Sequence, residues 1–214
     1  MESKRTKDEI RELEKVFLNK NKKKSIEALS SIVFGIALSI GTFTFITSDT
    51  KLVTGNILTF AFSFLILIYI WLRYTKILEL IKVETNLEMV LNILMLFLVV
   101  IEPYLFNQVQ INALPLGSSS ALGYTSFLFG IDIAVLMFAL AAIYTLGLRD
   151  YRDIRREIIR HYDYIRNGLF VIGLIFVFAD LPVVWNHYIY GIQLRFALWF
   201  ISAVIAVAVR RIKI

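Results

Sequence analysis

The stretch ALGYTSFLFGIDIAVLMFALAAIYTLGL, Ala121 to Leu148, carries one charged residue, Asp132, in 28 positions. The hydrocarbon core of a bilayer is about 30 Å thick, so a helix rising about 1.5 Å per residue needs about 20 apolar residues to cross it. A helix of a soluble domain would confine its apolar residues to one stripe instead of forming an uninterrupted block. This stretch therefore predicts a transmembrane helix.

Five further apolar blocks surround this one, separated by short polar or charged segments. The whole chain of 214 residues is 58% hydrophobic, with a mean hydropathy of +0.70. The pattern predicts an all-α, polytopic membrane protein. Residues 1–24 are expected to form a basic, amphipathic cytoplasmic segment, and residues 25–214 a transmembrane domain of six helices. The predicted spans lie at about 26–47, 52–72, 88–106, 121–148, 168–186 and 191–209.

The basic residues predict the orientation of these spans. Of the 23 Lys and Arg, 21 fall on one side of the six-span topology and two on the other. The positive-inside rule then places both termini in the cytoplasm. The net charge of +6 is thus interpreted as a signal of orientation, and no nucleic-acid partner is expected. The first 24 residues lack the apolar core and cleavage site of a signal peptide, which favours a prokaryotic plasma membrane.

The sequence offers no familiar catalytic or metal-binding pattern, so neither an enzyme nor a cofactor is expected. There is no cysteine, which excludes thiol chemistry and cysteine-bound metals. The two histidines, His161 and His187, fall at opposite membrane surfaces of the predicted topology. They cannot share a metal ion within one subunit, nor activate a serine in mid-membrane.

Polar residues within the predicted spans are functional candidates, because unpaired polar groups cost several kcal/mol in hydrocarbon. Asp132 falls near the middle of the bilayer, whereas Glu102, Asp180 and Arg195 fall towards the outer ends of their spans. Arg195 either pairs with one of the acids and holds the spans together, or contributes with them to ion attraction at an outer mouth. Asn92 is expected to form a hydrogen bond between helices.

The first predicted span, SIEALSSIVFGIALSIGTFTFIT (Ser25 to Thr47), keeps four serines and three threonines. Ser31, Gly35 and Ser39 recur at intervals of four, which allows close approach of helices. One stripe of the helix mixes large apolar side chains with hydroxyls, as a water-filled path with hydrophobic constrictions requires. The alternative is that the hydroxyls only bond back to the preceding turn. The stripe consists of Ile32, Ile36, Ser39, Ile40, Phe43 and Thr47.

This span resembles the first span of the prokaryotic branch of the transmembrane-protein-175 family of potassium channels. In that family the span opens with an R-x-x-x-F-S-D motif followed by a run like V-F-A-I-A-I-T. The corresponding stretch here is SIEALSSIVFGIALS. Ser30 keeps the serine of the motif, whereas Ser25, Leu29 and Ser31 replace its arginine, phenylalanine and aspartate.

The resemblance continues in the second and third spans. The family closes its second span with a tryptophan, two histidines and a basic residue. Here IWLRYTKIL keeps Trp71 and Lys76 but has Tyr74 and Thr75 at the histidine positions. The third span of the family has L-N near its start and a proline near its outer end. These correspond to Leu91-Asn92 and Pro103.

The resemblance implies a homotetrameric channel in the lipid bilayer, with potassium or other monovalent cations as the permeant ligand. The first span of each subunit would line the pore. Ile36 would form a bulky gate with Ile40 beside it, Ser39 would form a ring of hydroxyls, and Phe43 a second narrowing. The resemblance also implies that a set of residues holds the first span against its neighbours. This set comprises Trp71, Asn92 and the four positions of the R-x-x-x-F-S-D motif, which are Ser25, Leu29, Ser30 and Ser31.

Two other functions remain open on the sequence. One is a non-conducting membrane scaffold that keeps the fold but has lost the polar motif. The other is a secondary transporter, a class that often has interrupted helices and inverted repeats. The sequence disfavours a transporter, because no predicted span has a central proline and no repeat is visible.

Overall fold

The structure is a computed structural model that describes residues 23–42, 53–80, 86–113, 119–149, 156–185, 187–189 and 192–211. The described chain is helical apart from one pair of two-residue strands. In chain order the long helices and the connecting elements are α1 (Lys23–Thr42), α2 (Val53–Leu80), α3 (Asn86–Ala113), α4 (Ser119–Arg149), α5 (Arg156–Ala179), a single turn α6 (Pro182–Trp185), β1 (Tyr188–Ile189), β2 (Ile192–Gln193) and α7 (Leu194–Arg211).

Five helices of the described chain are long and apolar enough to cross a membrane. This finding confirms the sequence prediction of a helical, multi-pass membrane protein. The apolar part of α7 within the described residues, Leu194–Ala206, is shorter. In lipid, a helix satisfies its backbone hydrogen bonds internally, which is why apolar blocks of this length become helices.

The α4 helix lies at the centre of the subunit, because it packs against α2, α3 and α5. Of the residues in its apolar stretch, 67% are buried, compared with 17% for α1. The α7 helix packs mainly against α5, and its first residues continue from the antiparallel pair in which Tyr188 faces Gln193. The core therefore surrounds α4, and α1 is a peripheral helix.

Most helices extend beyond the predicted spans, and the extensions of α5 and α3 matter for the site. The α5 helix begins at Arg156, so the charged segment before residue 168 continues the same helix. The α3 helix continues to Ala113, which places Pro103 inside the helix and not near its outer end. Proline lacks the backbone N–H of a regular helical turn. The predicted third span places Pro103 near its outer end, and the greater length of α3 puts ten helical residues after it.

Candidate functional site

The first candidate surface is the side of α1 that faces away from the bundle. The opposite side, which packs against the bundle, is formed by Ser30, Phe34, Ala37 and Gly41, all of them buried. Their spacing of four, three and four residues is that of one helical stripe. The residues facing away include Leu29, Ile32, Ile36 and Ser39, all exposed. These four residues are called the exposed face of α1 below.

The hydroxyls of α1 bond to the backbone of the same helix. The Oγ of Ser39 donates to the carbonyl oxygen of Gly35 at 2.8 Å, and the Oγ of Ser31 donates to that of Glu27 at 2.9 Å. A hydroxyl that donates in this way still has oxygen lone pairs available. Because Ser39 is also exposed, its oxygen can accept a hydrogen bond from water or coordinate a cation beside the helix.

The structure places the other predicted residues of this span as follows. Ile40 is half-buried at the edge of the exposed face, whereas Phe43 and Thr47 lie outside the described residues. Of the motif positions, Ser25, Leu29 and Ser31 are exposed, and Ser30 is buried with its Oγ bonded to the carbonyl oxygen of Glu27. Only the serine that the resemblance retains thus packs against the bundle.

An aromatic contact holds α1 to α2. The rings of Phe34 and Tyr74 are 6.1 Å apart, and the Tyr74 hydroxyl donates to Oδ1 of Asn92 on α3 at 3.1 Å. The interhelical hydrogen bond expected of Asn92 is therefore present. The indole nitrogen of Trp71, which the resemblance assigned to the same network, has no hydrogen-bond partner among the described residues. Tyr74 connects α1, α2 and α3 at this point.

Replacing Tyr74 by phenylalanine is expected to destabilise the folded protein by about 0.6–2 kcal/mol, the range for interhelical hydrogen bonds in membranes. The ring contact with Phe34 would persist, but Oδ1 of the buried Asn92 would lose its donor. The measurement is the free energy of unfolding in mixed micelles. Tyr104→Phe is the matched control, because Tyr104 is 58% exposed. Equal stability of the two variants would contradict the assignment.

The second candidate site is a set of ionisable residues inside the subunit. Glu102, Asp132, Asp180 and Arg195 are all buried. The Oγ of Ser63 on α2 donates to Oε1 of Glu102 at 2.8 Å, and Asp132 lies close enough to Glu102 to interact with its charge. Two of the oxygens, Glu102 Oε2 and Asp132 Oδ2, have no hydrogen-bond partner among the described residues.

Arg195 connects the end of α5 to the start of α7. It interacts electrostatically with Asp180. Its Nε and Nη2 also donate to Oε1 of Gln193, at 2.8 and 2.6 Å. The hydrogen bonds of Arg195 are thus local, to the residue two positions before it. Glu102, Asp180 and Arg195 are buried within one subunit, so the structure gives no support to their role as charges at an exposed outer mouth.

Asp180 also fits closely against α4 at a glycine. A Cβ atom built on Gly130 would overlap the carboxyl group of Asp180. Only glycine leaves this space open, because it has no side chain. The carboxyl group of Asp180 therefore packs against the backbone of α4, and neither of its oxygens has a hydrogen-bond partner among the described residues.

Aromatic rings surround this polar region and hold four helices together. Trp199 on α7 lies 4.9 Å from the ring of Phe129 on α4 and 5.9 Å from that of Phe176 on α5, centroid to centroid. Phe129 in turn lies 5.2 Å from Phe106 on α3. Such pairs add about 0.5–1.5 kcal/mol beyond the area they bury. The rings give the polar residues a rigid, apolar surrounding.

Sequence reasoning missed Ser63 and the hydrogen bond of Tyr74, although the chain contains a signal for both. Tyr74 lies six residues before the end of α2, and Asn92 six residues after the start of α3. Ser63 and Glu102 are likewise at nearly equal distances from the α2–α3 connection. In an antiparallel helix pair, residues equally far from the connection lie at the same depth. Matching polar residues by depth would have predicted both pairs.

Within the described residues no group of three or more His, Cys, Asp or Glu side chains is arranged to hold a metal ion. Comparison of the chain with protein-family models, curated proteins and solved structures finds no match.

Proposed function

We propose that this protein is a homotetrameric channel for potassium or, with weak selectivity, for monovalent cations in general. Each subunit contributes six spans, and the exposed face of α1 from four subunits lines the pore. The observation that carries the proposal is the composition of that face: large apolar side chains interrupted by a hydroxyl on a helix that is mostly unburied. The membrane is a prokaryotic plasma membrane.

A comparison with α3 distinguishes a pore-facing surface from a lipid-facing one. The large exposed residues in the first half of α3 are continuously apolar, as expected of side chains in contact with lipid tails; they are Leu87, Met89, Val90, Ile93, Leu94 and Phe97. On α1 the exposed residues include Ser31, Gly35, Ser39 and Thr42 among the apolar ones. Lipid contact does not favour hydroxyls, whereas a hydrated path uses them.

Four copies of α1 around an axis would arrange Ile36 and Ser39 in successive rings. The rise of about 1.5 Å per residue separates the two rings by about 4.5 Å along the helix. A ring of four isoleucines narrows the path and closes it by dewetting. The serine ring beside it supplies oxygen atoms to a cation that has lost part of its hydration shell. A hydroxyl ring constrains the ion less than a carbonyl cage, which fits weak selectivity.

The length of α7 and the distribution of charge support the proposed sixth span and orientation. The 18 residues of α7 extend about 27 Å, close to the thickness of the hydrocarbon core. With six crossings, both termini return to the side that carries 21 of the 23 Lys and Arg, which the positive-inside rule assigns to the cytoplasm.

Truncating the gate tests the proposal directly. Ile36→Ala is expected to increase potassium flux into liposomes by about ten-fold or more, because lowering a dewetting barrier by about 1.4 kcal/mol changes a rate ten-fold. The measurement is uptake of K⁺ and Na⁺ by vesicles containing purified protein. Ile93→Ala on α3 is the matched control, since Ile36 and Ile93 are 50% and 57% exposed. Impermeable vesicles with wild type and with Ile36→Ala alike would overturn the channel and favour the scaffold.

The buried carboxyl groups favour a second candidate, a secondary transporter. Glu102 and Asp132 are both buried and within electrostatic range of each other, and each has an oxygen that lacks a partner among the described residues. Glu102 also precedes Pro103, the proline inside α3. Transporters place such groups beside irregular helix segments at mid-membrane. The same vesicles distinguish the two: transporter flux would depend on a pH gradient and would not respond to Ile36→Ala.

A further inference from the structure

An apolar groove on the outside of the bundle ends at two basic residues. Its volume is about 180 Å³, and it is bounded by α2 on one side and by Ser202, Ala203 and Ala206 of α7 on the other. Met137 of α4 and residues of α5 form its floor. Seven residues of α2 line the groove, mostly on one helical face; they are Leu65, Ile66, Ile68, Tyr69, Leu72, Arg73 and Lys76.

The dimensions of the groove match one chain of a lipid. From Leu65 to Lys76 the helix rises about 16 Å at 1.5 Å per residue. Half of a hydrocarbon core about 30 Å thick is about 15 Å. A closed apolar cavity of about 150 Å³ is already large enough to hold benzene. The groove thus has the length of one leaflet and the volume for a segment of hydrocarbon chain.

The basic end of the groove is suited to bind an anion. Arg73 is buried, and its Nη2 has no hydrogen-bond partner among the described residues. Its guanidinium carbon lies 5.2 Å from the ring centroid of Tyr69, which holds it at the groove. Lys76 is exposed one turn further along α2, and no acidic residue lines the groove within the described chain. A buried arginine costs free energy unless its charge is compensated, and an anion bound in the groove that Arg73 and Lys76 line would compensate it.

We propose that this groove is a binding site for an anionic glycerophospholipid. One acyl chain lies along the apolar face of α2, and the phosphate of the headgroup accepts hydrogen bonds from Arg73 and Lys76. Basic pockets between transmembrane helices bind anionic headgroups in this manner. The charge also excludes the basic segment of residues 1–24 as the occupant, because it would be repelled by the same two residues. The site is independent of ion conduction; only its placement in the cytoplasmic leaflet rests on the proposed orientation.

The test compares two lipids with identical acyl chains, phosphatidylglycerol and phosphatidylcholine, by native mass spectrometry of the purified full-length protein. Two basic contacts predict a preference of about thirty-fold for phosphatidylglycerol. Arg73→Gln with Lys76→Gln should remove the preference without weakening phosphatidylcholine. Lys76→Gln alone, at an exposed position that does not endanger folding, should reduce the preference about five-fold. Lys24→Gln, an exposed lysine outside the groove, is the control and should leave it unchanged.

A second variant tests the apolar part of the site. Ala203→Phe would fill the groove and should weaken binding of both lipids equally, since it removes the space for the acyl chain but not the basic residues. The proposal is overturned if wild type shows no preference for phosphatidylglycerol, or if the preference survives loss of both basic residues. It is also overturned if Ala203→Phe changes the number of subunits in the assembly instead of lipid binding, which would make the groove a contact between copies of the chain.

Discussion

Arg195→Met is expected to destabilise the folded protein by about 1.5–3 kcal/mol, the range for hydrogen bonds to charged groups. Arg195 is 1% exposed and lies within electrostatic range of Asp180, which is 4% exposed. Methionine fills a similar volume but leaves the carboxylate in an apolar surrounding without its cation. The hydrogen bonds to Gln193 at the start of α7 are lost as well. The measurement is the free energy of unfolding in mixed micelles.

The chain contains a matched control for this substitution. Arg166 forms an ion pair with Asp163 at 2.9 Å, but the two side chains are 32% and 39% exposed. Arg166→Met should therefore cost about 0–1 kcal/mol, as exposed pairs do. Combining Arg195→Met with Asp180→Asn should recover most of the lost stability, because no buried charge is then left alone. Equal losses for Arg195→Met and Arg166→Met would show that the buried pair does not form.

Gly130→Ala is the second substitution for which a large effect is expected. The added Cβ would overlap the carboxyl group of Asp180, so α4 and the end of α5 must separate or the carboxyl group must turn away from Arg195. Overpacking of this kind costs about 1–3 kcal/mol. Alanine otherwise favours a helix over glycine by about 0.8–1 kcal/mol, so a loss of stability would report the close contact itself. Thermal unfolding of the purified protein is the measurement.

Gly35→Ala is the control for the same chemical change. Nothing lies within 4 Å of a Cβ built on Gly35. The thermal stability of this variant should therefore equal or slightly exceed that of wild type. Introducing Gly130→Ala into an Asp180→Ala background should cost little, because the overlapping group is gone. The difference between the two backgrounds is the coupling energy of the pair, expected at about 0.5–3 kcal/mol. A Gly130→Ala protein that melts like Gly35→Ala would refute the contact.

Part of the candidate site was predictable because polar residues are rare within long apolar blocks and are costly to bury in hydrocarbon. Asp132, Glu102, Asp180 and Arg195 were identified from the sequence by their positions within apolar blocks, and all four are buried in the structure. The exposed face of α1 was identified by helical spacing, and Ile36 and Ser39 do lie on it. These predictions needed only the pitch of a helix and the cost of burying charge.

The partners of these residues were not predictable in the same way. The structure joins Glu102 to Ser63 and Tyr74 to Asn92 by hydrogen bonds, and it brings Arg195 within electrostatic range of Asp180. A helix in lipid gains little from any particular rotation about its axis, because lipid tails are as apolar as its neighbours. Its rotation is set by packing of side chains on several helices at once, and the space that Gly130 leaves for Asp180 is one such detail.

The sequence by itself determined that this is a helical membrane protein, because the thickness of the bilayer and the rise of a helix together require apolar blocks of this length. It also determined which residues must avoid lipid. Only the tertiary structure decided that Glu102, Asp180 and Arg195 are buried among the helices, that Tyr74 joins three helices, and that Arg73 ends an apolar groove. Those outcomes depend on how neighbouring helices are rotated and spaced, which is a property of their mutual packing and not of any one segment.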